Sequence, residues 1–273
     1  MSASKSHRLD ATWIDFSRPL ESLRRRLFQY ADSGYRDFLA STLPPSSRDL
    51  IGVRAAGIRQ TLKELLSIDG SAFLESIIFP DRSTVRRSSD KKLTLFYGEE
   101  RLTVSYLLDR VPIEIDRRIE AFSAFQPYVN SWYVCDGLCQ EFKPQAHELV
   151  KLWEYVGSCF QSSHEYTQRF ALVMSLNNFI SDAYVENTLT RVDQLFHKGI
   201  ASYTVSMGAA WLLCEIFIQH ESIARRFFHH NALDVATYNR ALQKICESNR
   251  VAKETKSEIR SLKRGKSRSG VEV

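Results

Sequence analysis

Few recognisable chemical signatures run through this 273-residue chain. It has no Walker loop and no GxGxxG, HExxH or GxSxG, which excludes the nucleotide, dinucleotide, zinc-protease and serine-hydrolase chemistries built on those motifs. No apolar run approaches the roughly 20 residues needed to span a bilayer, so no membrane partner is expected. The opening MSASKSHRLDATW has no apolar core of the secretory type. Cysteine is scarce, with five residues at 135, 139, 159, 214 and 246. An odd number without framework spacing points to reduced thiols and a cytoplasmic setting. Cys135 and Cys139 lie four apart, but no second cysteine or histidine pair follows at zinc-like spacing, so they read as small buried hydrophobes. His147 and His229–His230 stand without a carboxylate or thiol at motif spacing and read as surface residues. Neither a metal nor a cofactor is expected.

Charge is present and unevenly spread. The net charge is +5, yet Arg250–Arg268 holds eight Lys/Arg against two Glu, a local excess of six. The rest of the chain is close to neutral. Such an end reads either as a solubilising tail or as an electrostatic arm for a polyanion. Shorter basic clusters at Arg24–Arg26 and around Arg82, Arg86, Arg87, Lys91 and Lys92 point the same way.

Apolar residues recur at helical spacing almost throughout. Leu23, Leu27 and Tyr30 mark a first helix and Tyr35, Phe38 and Leu39 a second, stopped by Pro44–Pro45. Ile58, Leu62 and Leu65 mark another, and Phe73, Leu74 and Ile77 one more before Pro80. Pro80–Asp90 is polar and rich in Arg and Ser and reads as the longest internal loop. Leu95–Leu108 has strand-forming residues but also a Glu pair, and helix is the expectation. Stripes follow at Leu149, Leu152, Trp153, Val156 and Phe160, then at Phe170, Val173 and Met174. Further stripes stand at Val205, Ala209, Leu212 and Ile216, and at Leu242, Ile245 and Cys246. Helices of this kind in pairs of about 35–45 residues predict an all-α fold, a superhelical solenoid of degenerate HEAT-like helical repeats; a compact irregular bundle is the alternative. The expected organisation is a flexible segment over 1–20, one repeat domain over 21–263 and a disordered basic tail over 264–273.

Within that pattern, Trp132 and Asp136 of VNSWYVCDGLCQEF are four apart, so on a helix they share a face one turn apart. Trp211 lies in MGAAWLLCEIF, and Arg169 opens the run QRFALVMSL between them. From spacing alone, the commoner outcome for such residues is a core tryptophan and a solvated aspartate. The other reading is a groove of two indoles, a carboxylate and an arginine suited to a flat, cationic, sugar-linked substrate.

The WxxxD of Trp132 and Asp136, the QR of Arg169 and the AWLL of Trp211 together resemble the AlkD-like alkylpurine DNA glycosylases. FLASTLPPSSRDLIGVRAAGIRQTLKEL (38–65) is similar to that family's N-terminal signature. LQKICESNRVAKETKSEIRSLKR (242–264) is similar to the ending of a bacterial branch of DNA alkylation repair proteins. The likeness runs from about Tyr30 to Arg264. It implies a HEAT-like superhelix holding double-stranded DNA with alkylated purines on a basic concave face. It implies a cytoplasmic, nucleoid-associated monomer that hydrolyses the N-glycosidic bond of N3- or N7-alkylpurines without metal or cofactor. The damaged nucleotide need not be turned into a deep pocket, unlike the usual base-flipping route. By position, Trp132 and Trp211 would form an aromatic cleft against the deoxyribose, Asp136 would be the catalytic carboxylate, and Arg169 would hold the phosphodiester. Arg54, Arg59 and Lys244, with Arg169, are the expected DNA contacts.

The chemistry suits those roles. An N3- or N7-alkylpurine is already cationic and leaves readily, so the task is to stabilise an oxocarbenium-like sugar and to direct water to it. An ionised carboxylate does both, and indole faces favour cationic character by about 0.5–2 kcal/mol. No lysine stands beside Asp136 to form a Schiff base, so a monofunctional enzyme is expected. Two positions depart from the family pattern: Tyr133 replaces a common aspartate, and Cys214 replaces an arginine before Glu215. Two other readings stay open, a non-catalytic DNA-structure binder on this scaffold and a protein-interaction scaffold with both indoles in its core. Burial of the indoles separates the last from the others.

Overall fold

A computed structural model describes residues 13–79, 95–140, 142–197 and 199–265. The loop expected over Pro80–Asp90, the first twelve residues and the tail beyond Gly265 lie outside the described residues. Among those described the fold is all-α, with fourteen α-helices, no strand and a single isolated bridge between Ala31 and Val53. The chain divides into two compact units, Met1–Lys143 and Pro144–Val273, with the division falling inside the span read as one repeat domain.

The first unit holds α1 (Pro19–Phe28), α2 (Ser33–Thr42), α3 (Ala55–Ile68), α4 (Gly70–Ile78), α5 (Gly98–Arg110), α6 (Ile115–Phe125) and α7 (Trp132–Cys139). The segment before α1 is packed where it is described. The Trp13 indole donates to Glu64 at 2.8 Å, and Glu64 also receives Arg26 at 2.6 Å. Central to the unit is α5, which packs against α1, α3, α4, α6 and α7. A helix enclosed this way is buried around its whole circumference, and even Glu99 and Glu100 are fully inside. Both carboxylates are satisfied. Glu100 reaches back to the Phe96 and Tyr97 N–H groups at 2.8 and 3.0 Å, closing the helix start, and receives Arg24. Glu99 accepts the N–H groups of Ile51, Gly52 and Val53 at 2.7–3.1 Å. Gly52 has φ of +93°, a value that L side chains rarely adopt, and the three converging amides follow from that turn.

The second unit holds α8 (Leu149–Phe160), α9 (Glu165–Asn178), α10 (Val185–Phe196), α11 (Tyr203–Gln219), α12 (Glu221–His229), α13 (Val235–Glu247) and α14 (Lys253–Ser261). Here α11 is central, packed on α9, α12 and α13. It buries Val205, Ala209, Ala210, Leu212, Leu213, Ile216 and Phe217, each large apolar side chain contributing about 1.5–3 kcal/mol. No helix among the described residues is long and apolar enough to cross a membrane.

Candidate functional site

Of the four residues read as the catalytic set, Trp132 and Asp136 lie in the first unit and Arg169 and Trp211 in the second. In the first, α7 carries Trp132 and Asp136. Pro44–Pro45 ends α2 and starts a 3-10 turn, Pro45–Ser47, and this turn sets the entry to α7. Ser47 Oγ donates to the Asn130 carbonyl at 2.5 Å, and Asn130 Nδ2 donates to Ser46 O at 3.3 Å. Ser131 then caps α7 by accepting from Val134 N. Trp132, the first helical residue, donates its indole N–H to Thr42 O at 3.3 Å. The ring is thereby oriented while 39% of the residue stays exposed.

Next to Asp136, Gly137 lets α7 settle onto α5. A Cβ there would meet Leu102 Cδ1 at 2.4 Å and Ser105 Oγ at 3.2 Å. The flanking Cys135 and Leu138 point into the core and are fully buried, which turns Asp136 outward to a half-buried position. Burial pushes the Cys139 thiol well above its ordinary range, with the Cys135 hydrogen bond and the charges of Asp109 and Asp136 adding to it. Cys135 and Cys139 are thus buried core residues. No group of three or more metal-ligating side chains occurs among the described residues.

Tyr133, which stands where the family pattern commonly has an aspartate, packs against Leu39, Leu43 and Leu50. Its phenol is pushed above its usual range by burial first and then by Glu99, Tyr35 and Tyr106. It is a neutral packing residue.

In the second unit, Trp211 is 38% exposed on α11. Both indoles are therefore at the surface, which removes the premise of the scaffold reading with core tryptophans. Arg169 does not open its helix: α9 begins at Glu165, so Arg169 sits one turn inside. It is also only 7% exposed, and its Nη1 donates to Thr204 O at 2.9 Å, linking α9 to the first turn of α11. Gly208 lies beside its aliphatic stem, with a Cβ position 3.5 Å from Arg169 Cγ. Cys214 is buried, and burial is the first cause that pushes its thiol up to about 11. Glu215, one turn beyond Trp211, receives Arg250 at 2.5 Å.

The expected DNA contacts differ in accessibility. Arg54 precedes α3 and is exposed, paired with Asp32 at 2.9 Å and lying over the Tyr35 ring at 4.8 Å. Asp32 is held below its usual range by the Tyr35 N–H and then by Arg54. Arg59 is exposed on α3. Lys244 is partly exposed on the last turn of α13 and pairs with Glu247 at 3.2 Å. Arg250 was not singled out in sequence, because Glu215 lies 35 residues away and no local spacing signals the pair.

Residues 23–245 match the model of a family described as DNA alkylation repair enzyme. The chain belongs to the DNA alkylation repair enzyme family. The match begins inside α1 and ends in α13, so it takes in Trp132, Asp136, Arg169 and Trp211 together with Arg54, Arg59 and Lys244. Comparison with curated proteins and with solved structures gives no match.

Proposed function

We propose that this member of the DNA alkylation repair enzyme family is a monofunctional glycosylase that hydrolyses the N-glycosidic bond of cationic N3- and N7-alkylpurines in duplex DNA. The observation that carries the reading is the pairing of an exposed, oriented Trp132 with Asp136 one turn along α7. An indole aimed by its N–H and a carboxylate on the same face suit a developing cationic sugar: the ring's quadrupole and the carboxylate charge both favour it. In this reading Asp136 stabilises the oxocarbenium-like transition state and orients the attacking water. Trp132 lies against the deoxyribose, and Trp211 is an aromatic DNA contact of the second unit.

In the same reading Arg169, held by the Thr204 carbonyl, faces a phosphodiester. Arg54, Arg59 and Lys244 are DNA contacts. The helices form degenerate HEAT-like repeats, supported by the packing of α8 on α9, α9 on α11 and α11 on α13. No general acid is required, because the alkylated base leaves with its positive charge already in place.

Incubation with duplex DNA containing 7-methylguanine, followed by detection of abasic sites, tests this. We expect abasic sites from 7-methylguanine and none from uracil or hypoxanthine. Efficient uracil excision would show that an acid has been overlooked, and DNA binding without release of base would mark a non-catalytic DNA-structure binder.

A further inference from the structure

The face of α11 that carries Trp211 is bordered by arginines at both ends. Thr204, Gly208, Trp211 and Glu215 succeed one another at spacings of four, three and four, so they line one side of the helix. At the N-terminal end the Thr204 carbonyl holds Arg169, which comes from α9 and is almost entirely buried. At the other end Glu215 holds Arg250, which comes from the turn between α13 and α14. The exposures within this second pair are unequal. The Arg250 side chain is 56% exposed and that of Glu215 is 17% exposed.

The acid is therefore the anchor, and the guanidinium is presented to water one helical turn from an exposed indole. Lys244 belongs to the same neighbourhood, since its charge and that of Arg250 both act on the Cys214 thiol. A guanidinium fork matches a phosphate as well as a carboxylate.

Resting on the glycosylase reading above, we infer that Arg250 is a phosphate contact of the DNA complex, aimed by Glu215 and engaging a different phosphodiester from Arg169. Thr204 and Glu215 are 11 residues apart, ~16 Å at 1.5 Å per residue. One DNA strand offers a phosphate every ~3.4 Å of rise, so a single phosphodiester cannot serve both ends of this face.

The test is the affinity for a fluorescent DNA duplex measured over a range of salt for wild type, Arg250→Ala, Arg250→Lys and Glu215→Gln. Arg250→Ala should weaken binding several-fold and lower the slope of log affinity against log salt by about one. Arg250→Lys should restore the slope, and Glu215→Gln, which keeps the cation, should leave it at the wild-type value or steeper. An unchanged slope in Arg250→Ala, with wild type binding normally, would overturn the assignment and leave Arg250 as a tether of its turn. Equal losses in Arg250→Ala and Glu215→Gln would overturn it too, because the pair would then be structural. Wild type that lacks salt-dependent duplex binding would remove the glycosylase reading itself.

Discussion

Each unit carries an exposed tryptophan followed four residues later by a carboxylate, Trp132–Asp136 in the first and Trp211–Glu215 in the second, and the two pairs are built differently. The first stands on an eight-residue helix, where the tryptophan is tied to Thr42 O. The second stands midway along the seventeen-residue central helix of its unit, where the carboxylate is the fixed member, tied to Arg250. The same spacing thus yields an oriented indole in one place and an oriented guanidinium in the other. What a side chain is bonded to, more than its interval from a neighbour, decides what it can do.

The strongest way to break this comparison is at Glu99. Glu99→Ala leaves three buried N–H groups around Gly52 without an acceptor, a loss of about 3 kcal/mol or more. Hydrogen exchange should show protection lost in α3, α5 and α7 and kept in α9 and α11. Equal loss in both groups would mean that the two units unfold as one.

A smaller effect sharpens the comparison at the glycines under each pair. Gly137→Ala drives a Cβ into Leu102 at 2.4 Å and should cost about 1–3 kcal/mol by overpacking. Gly208→Ala meets Leu172 at 3.4 Å and Arg169 at 3.5 Å, ordinary contact. It should be neutral or stabilising by up to about 1 kcal/mol through helix propensity. Denaturant melts of the two variants check the difference, and similar midpoints would show that α7 is not seated by Gly137.

Much of the helical pattern was legible because apolar spacing is local information. Leu23 and Leu27, Leu152, Val156 and Phe160, and Leu242 and Ile245 are all buried where their stripes place them. The Glu pair at 99–100 rightly argued against a strand, but its carboxylates were not recognisable as buried: their partners lie 46–48 residues back for Glu99 and 76 back for Arg24 with Glu100. The exposure of the indoles was illegible for a related reason. On α11, which is apolar nearly all round, periodicity does not say which side faces water. On α7, Trp132 owes its position to the Pro44–Ser47 turn, some 85 residues earlier in the chain. The apolar run QRFALVMSL suggests a helix start at Arg169, whereas α9 opens one turn earlier at Glu165, ahead of that run.

The central claim is that the carboxylate of the first pair does chemistry while that of the second holds a cation. Single-turnover release of 7-methylguanine from duplex DNA by wild type, Asp136→Asn and Glu215→Gln tests it most directly. Loss of a charge that acts on the transition state costs about a hundredfold or more. We predict that fall for Asp136→Asn with DNA affinity nearly intact, and a rate within a few-fold of wild type for Glu215→Gln. Wild-type rates from Asp136→Asn, or a collapse confined to Glu215→Gln, would contradict the account.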